Sequence, residues 1–265
     1  MNAASGVLAL VLAETAAGGA AFLFLTPLWG EVRRGFFYLT GGLIVVFAGL
    51  AALATVPGFD PGFEGAAANA FAALSYSIAF SVGTVLWLAL LLIRLPRIAR
   101  VVGFLTLPVA GGMLAFFAGA VGGSYGVALT QLVAGAIFTG AVLDGLLLGH
   151  WYLTDRKLTR GPINRMAWLL IGAVGVEAVA VLVGAIGAGP EAGTSASISP
   201  LLTVAGNATW IAFGMVACTG LIAAFIKATL RGTRPQAVQS ATGFFYLAVI
   251  TAFTAELAAK VRFLR

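Results

Sequence analysis

VALTQLVAGAIFTGAVLDGLLL, Val127 to Leu148, carries one acid, Asp144, and no Lys or Arg. A helix crossing the bilayer core needs roughly 20 mostly apolar residues, and this stretch has that length. Its apolar residues are continuous instead of alternating, so it predicts a transmembrane α-helix and not a strand of a β-barrel.

Runs of the same kind recur on both sides of it, at Gly6 to Trp29, Gly35 to Val56, Ala67 to Ile93, Val101 to Val121, Met166 to Ile186, Leu201 to Ile226 and Thr242 to Ala259. The expected fold is therefore all-α: a polytopic transmembrane helix bundle of about eight spans, joined by short loops, with no soluble domain. The whole chain, residues 1–265, reads as a single integral membrane domain. The first run exceeds signal-peptide length and contains Glu14, with no Lys or Arg before it, so it reads as a retained span.

Composition agrees. Of 265 residues, 61% are hydrophobic and 9% are charged, against roughly a quarter charged in soluble domains. So few polar side chains cannot cover a globule, and the apolar surface must face lipid or other helices. The net charge of +6 does not point to nucleic acid, because the basic residues form short clusters between apolar runs.

Those clusters give an orientation. Arg33 and Arg34 follow run 1; Arg94, Arg97 and Arg100 follow run 3; Arg156, Lys157, Arg160 and Arg165 follow run 5; Lys227, Arg231 and Arg234 follow run 7. These turns share one side and hold 12 of the 15 basic residues, whereas the opposite loops hold Asp60, Glu64 and Glu191 and no base. The positive-inside bias makes the basic side cytoplasmic and leaves both termini outside, in a cell (inner) membrane. Lys260, Arg262 and Arg265 in the tail are the exception.

Ionisable groups inside spans are costly and are functional hypotheses by default. Glu14 has Ala17, Gly18 and Ala21 on its helical face, a small-residue stripe that turns it inward. Glu177 sits near the centre of run 6 with no base within a turn, so burial favours its protonated, proton-exchanging form. Asp144 lies toward the basic end of run 5 on a stripe with Gly140, Ala141 and Leu148. Glu14, Asp144 and Glu177 are the proton-transfer candidates. Glu256 and Lys260 read as an i to i+4 ion pair at an interface.

His150, Trp151 and Tyr152 are the quinone or ligand candidates, an imidazole donor beside two aromatic rings; the alternative is an ordinary aromatic belt. Gly111, Ala115, Gly119 and Gly123 form a small-residue ladder in run 4, Gly18-Gly19, Pro27 and Pro108 to Gly112 offer helix breaks, and GFFYL occurs at Gly35 to Leu39 and again at Gly243 to Leu247, as a hairpin duplication would leave it.

One histidine cannot supply two axial imidazoles, so no bis-histidine haem is expected; one cysteine, Cys218, allows no disulfide, and no cluster has zinc spacing. No GxSxG, HExxH or P-loop pattern occurs. Two functions remain open. One is a membrane subunit of an electron-transfer or energy-conserving complex, with a quinone as the cofactor and other membrane or redox subunits as partners besides the lipid bilayer. The other is a proton-coupled secondary transporter of a small solute.

Overall fold

In lipid every backbone N–H and C=O must be satisfied within the segment, which leaves a long apolar run little choice but to be helical. The computed structural model, which describes residues 3–59, 66–155, 158–187, 204–232 and 236–263, contains eight such helices. They are α1 (Ala3–Leu25), α2 (Arg34–Gly58), α3 (Ala66–Leu92), α4 (Pro96–Val121), α5 (Tyr125–Thr154), α6 (Gly161–Gly187), α7 (Val204–Leu230) and α8 (Gln236–Val261), with a 3-10 turn at Thr26–Trp29 after α1. All eight are long and apolar enough to span a bilayer, and the chain is a multi-pass membrane protein. Asp60, Glu64, Glu191, Arg156, Lys157, Arg234 and Arg265 lie outside the described residues.

α2, α4, α5, α6 and α8 overrun the apolar stretches that predict them, whereas α1 stops short at Leu25 and passes into the 3-10 turn. Pro96 opens α4 at its first turn, where a missing N–H costs nothing, and α5 runs on to Thr154 and so takes in His150, Trp151 and Tyr152. Continuing the helix satisfies backbone groups more cheaply than leaving it at the membrane boundary. Most buried hydroxyls are satisfied in the same local way, by donating to a carbonyl about one turn back: Thr15 to Val11 at 2.7 Å, Ser77 to Ala73 at 2.7 Å and Thr139 to Gly135 at 2.7 Å.

Packing divides the chain into two similar halves. α1 to α4 form a ring in which each helix touches the next and α4 closes back on α1; α5 to α8 form a second ring closed by α8 on α5. The rings meet chiefly along α1 and α5, flanked by α4 on α5 and α8 on α1. These two helices form the centre of the molecule: 89% of the apolar stretch of α1 and 83% of that of α5 is buried, against 22–39% in the other six. The outer helices present Phe71, Val82, Trp168, Trp210 and Leu221 to lipid.

Glycine sets how closely the rings approach. A Cβ on Gly18 would collide with the carbonyl oxygen of Ala136, and one on Gly140 would fall 2.7 Å from the Cα of Gly18. The central crossing is therefore backbone on backbone.

Several expectations change. α1 is continuous through Gly18-Gly19 and α4 through Pro108, so neither helix is broken there; the glycines serve contact instead. In α4 the close approaches are Gly103 against Trp87, Gly112 under Tyr76 and Gly119 under Asn69, while Gly111, and Gly123 beyond the end of the helix, have open space where a Cβ would be. The first GFFYL segment opens α2 and the second lies two turns inside α8, which begins at Gln236; these are the second helix of one ring and the fourth of the other. The pattern of contacts matches α2 with α6, so these segments are not equivalent positions of the two rings.

Candidate functional site

Glu14 is on the eleven-residue-deep interior of α1, where the small-residue face beside it admits α5 at close range. Its carboxyl is fully buried and lies against a lysine: Lys260 Nζ is 2.8 Å from Glu14 Oε1 and 2.9 Å from Glu256 Oε2. All three side chains are 0% exposed. The same ammonium donates to the backbone carbonyl of Gln131 on α5 at 3.2 Å. Glu177 of α6 completes the group, within hydrogen-bonding reach of Glu256 and close enough to Glu14 and Lys260 to feel their charges.

Four helices thus converge on one polar volume. Its floor is Gly135: a Cβ there would lie 2.7 Å from Glu256 Oε2 and 2.8 Å from Glu14 Oε2, so the carboxyls occupy the space that any side chain would take. Gln131 stands one turn back toward the start of α5 and donates to the carbonyl of Ala180 on α6 at 3.4 Å. The site lies toward the end of the bundle away from the basic turns, since Lys260 is in the last turn of α8.

The pairing of Glu256 with Lys260 is as the i to i+4 spacing predicts, but its place is not. The pair is not at an interface with water; it is buried, because Ala252, Ala255 and Ala259 form a small face that lets α8 press into the bundle. Lys260 accordingly reads as a partner for buried acids, which removes one member of the basic tail that ran against the charge bias. Glu177, with no base near it along α6, gains one from α8.

Chemically, one ammonium balances one carboxylate. A net-neutral cluster of three carboxyls and one ammonium therefore holds two acid protons distributed over three sites, which suits it to accept and release protons in place. Glu256 is within hydrogen-bonding reach of both Glu14 and Glu177, so a protonated carboxyl in this group has a neighbouring carboxyl oxygen to donate to.

Asp144 is elsewhere. It is buried on α5, nine residues nearer the basic face than Gly135, which is roughly 13 Å along the helix. Neither of its carboxyl oxygens has a hydrogen-bond partner among the described residues.

His150, Trp151 and Tyr152 occupy consecutive positions on α5 and point in different directions. His150 is exposed, its Nδ1 3.4 Å from the hydroxyl of Tyr246 on α8. Trp151 lies over Gly35 at the start of α2. Tyr152 is buried and donates to the carbonyl of Thr159. The structure does not bring the three together around one slot.

On the basic face, Arg33 pairs with Asp155 at 3.1 Å and Arg165 with Glu31 at 3.0 Å. Thr159 also donates to Glu31, which rests on Gly161 at the start of α6. Among the described residues no group of three or more His, Cys, Asp or Glu is arranged to hold a metal ion.

The fold and site define an integral membrane helix bundle with a buried acid–base cluster between its two halves. No family model, curated protein or solved structure matches the chain.

Proposed function

We propose that this protein moves protons within the membrane, with Glu14, Glu177 and Glu256 as the exchanging groups and Lys260 as the fixed counter-charge. The observation that supports this is one fully buried ammonium held between carboxyls of α1 and α8, with a third carboxyl from α6 beside Glu256. A purely structural ion pair needs one acid, and two further buried acids avoid the cost of burial only by holding protons, which places exchangeable protons beside a fixed charge. Asp144 is the second station, nearer the basic face on the same central helix.

The setting favoured by the geometry is a proton-coupled secondary transporter of a small solute, because the cluster joins two similar four-helix rings, the build from which repeat-based transporters couple binding to movement. Under the charge bias the basic face is cytoplasmic, in a cell inner membrane, so the cluster lies nearer the outer face. A second reading, a quinone-linked subunit of an electron-transfer complex with redox partner subunits, is supported by His150 and Tyr246. Their contact sits on the lipid-facing surface where a membrane-dissolved quinone would arrive.

The test is proton uptake driven by an imposed pH gradient into liposomes containing the purified chain. Glu177→Gln and Glu14→Gln keep the shape of the side chain and lose the exchangeable proton; each is expected to cut uptake at least tenfold at equal protein content. Uptake equal to wild type in both variants would remove the cluster from the mechanism. For the second reading, His150→Ala should lower quinone-linked turnover of the co-purified complex by about tenfold or less, the worth of one neutral hydrogen bond. Turnover that does not change would return His150 to the aromatic belt.

A further inference from the structure

Among the described residues, three of the four ion pairs join one four-helix ring to the other. Glu14 in α1 meets Lys260 in α8; Glu31, in the turn before α2, meets Arg165 in α6; Arg33, in the same turn, meets Asp155 at the end of α5. These contacts do not lie at one level. Glu14 and Lys260 are on one side of the Gly18–Gly140 crossing, whereas Glu31, Arg33, Asp155 and Arg165 are on the other, at the basic face.

Each ring is also tied internally. The hydroxyl of Tyr38 in α2 donates to the carbonyl of Leu91 in α3 at 3.3 Å. In the second ring Arg160 donates to the carbonyl of Gly232, and Lys227 of α7 donates to Asn164 of α6 at 2.9 Å. Between the rings, the centre of contact is a crossing of glycine backbones, with no side chains from Gly18 or Gly140 to interlock. Two internally braced bodies that meet along α1 and α5, approach most closely at a crossing without side chains, and are held by charge pairs on both sides of it have the parts of a rocker.

We propose that the two rings rock about the Gly18–Gly140 crossing, with Glu31–Arg165 and Arg33–Asp155 as the latch on the basic face and Glu14–Lys260 as the latch on the opposite side. Both latches are closed in this structure. The trigger, which rests on the proton-exchange reading above, is the charge on Glu14: the groups that face it are Lys260 and Glu256 from α8 and Glu177 from α6, with Gln131 contributing a carbonyl to Lys260 from α5. A proton on Glu14 removes the attraction across the rings at that level and leaves Lys260 to Glu256 in its own helix. Opening there closes the basic face further, and release of the basic-face pairs does the reverse.

The experiment measures distances and needs no transport activity. In a Cys218→Ser background in liposomes, one nitroxide pair is placed at Arg94→Cys and Arg231→Cys on the basic face, and another at Val56→Cys and Tyr125→Cys on the opposite face, each pair spanning the two rings. Distances are read by pulsed electron resonance. Glu31→Ala combined with Arg33→Ala should lengthen the Arg94 to Arg231 separation by several ångströms and shorten the Val56 to Tyr125 one. Glu14→Gln should shift both in the opposite sense. Unchanged distances in both variants, or both separations moving in the same direction, would overturn the rocker. Antiphase shifts in a protein whose proton uptake is indifferent to Glu14→Gln and Glu177→Gln would keep the rocker and reject the proton-exchange site.

Discussion

The two four-helix rings share a plan but not a chemistry. In the first, α1 to α4, Glu14 is the one buried charged residue among those described; the second buries Asp144, Asp155, Glu177, Glu256 and Lys260. Both rings solve the same packing problem with Ala, Gly and back-bonded hydroxyls, so architecture alone does not call for the charges in α5 to α8. The difference teaches that the second ring carries most of the buried charge and that the first supplies one carboxyl and the surface against which the cluster packs.

The comparison can be broken most sharply at Lys260. Lys260→Met removes the described cluster's one cation and leaves three carboxyls facing one another, and losing one member of a buried charge group costs about 3 to 5 kcal/mol. Thermal unfolding in mild detergent should show a large drop in Tm. A Tm equal to wild type would mean that the charges of the second ring are not mutually dependent.

A smaller effect is expected at the boundary between the rings. At Gly140→Ala the new methyl meets the Gly18 backbone, which cannot move aside as a side-chain end could, and overpacking of this kind costs about 1 to 3 kcal/mol. Gly172→Ala is the control, since nothing lies within 4 Å of a Cβ there. Equal stability of the two variants would show that the rings are not in backbone contact at their centre.

The smallest effect separates Asp144 from the cluster it resembles. With no hydrogen-bond partner among the described residues, Asp144→Asn should change stability by about 1 kcal/mol or less, within the range of ordinary substitutions that leave no buried charge unpaired. A loss as large as that for Lys260→Met would mean that Asp144 is held by a partner as strong as the one Glu14 has.

Much of this was legible in the sequence. Continuous apolar length predicts the eight spans, and Ala17, Gly18 and Ala21 on one face predict that Glu14 turns inward, because a small-residue stripe in lipid is where another helix comes close. The same criterion applied to Ala252, Ala255 and Ala259 would have placed Glu256 and Lys260 inside as well. It was masked by their nearness to the end of the span, where charged residues are ordinarily solvated. The convergence of α1, α5, α6 and α8 was not legible, since it depends on which helices neighbour one another across more than a hundred residues of chain. Gly135 gave no signal for the same reason: a glycine in an apolar run does not announce whose carboxyl will fill its space. His150, Trp151 and Tyr152 looked like a set because they are adjacent in sequence, but successive residues on a helix are turned by 100° and so face apart.

The absence of a side chain at Gly18 has one more consequence. Where a Cβ would strike the carbonyl oxygen of Ala136, glycine has an α-hydrogen, and that hydrogen points at the oxygen. The geometry is that of a Cα–H···O=C hydrogen bond, worth about 0.5 to 1 kcal/mol. Between helices in hydrocarbon, where burying apolar surface gains little over facing lipid tails, a weak polar contact of this sort has few competitors. The two rings are then held at their midpoint by a bond that no other amino acid can make, and the Gly18 α-proton should resonate downfield of an ordinary helical glycine.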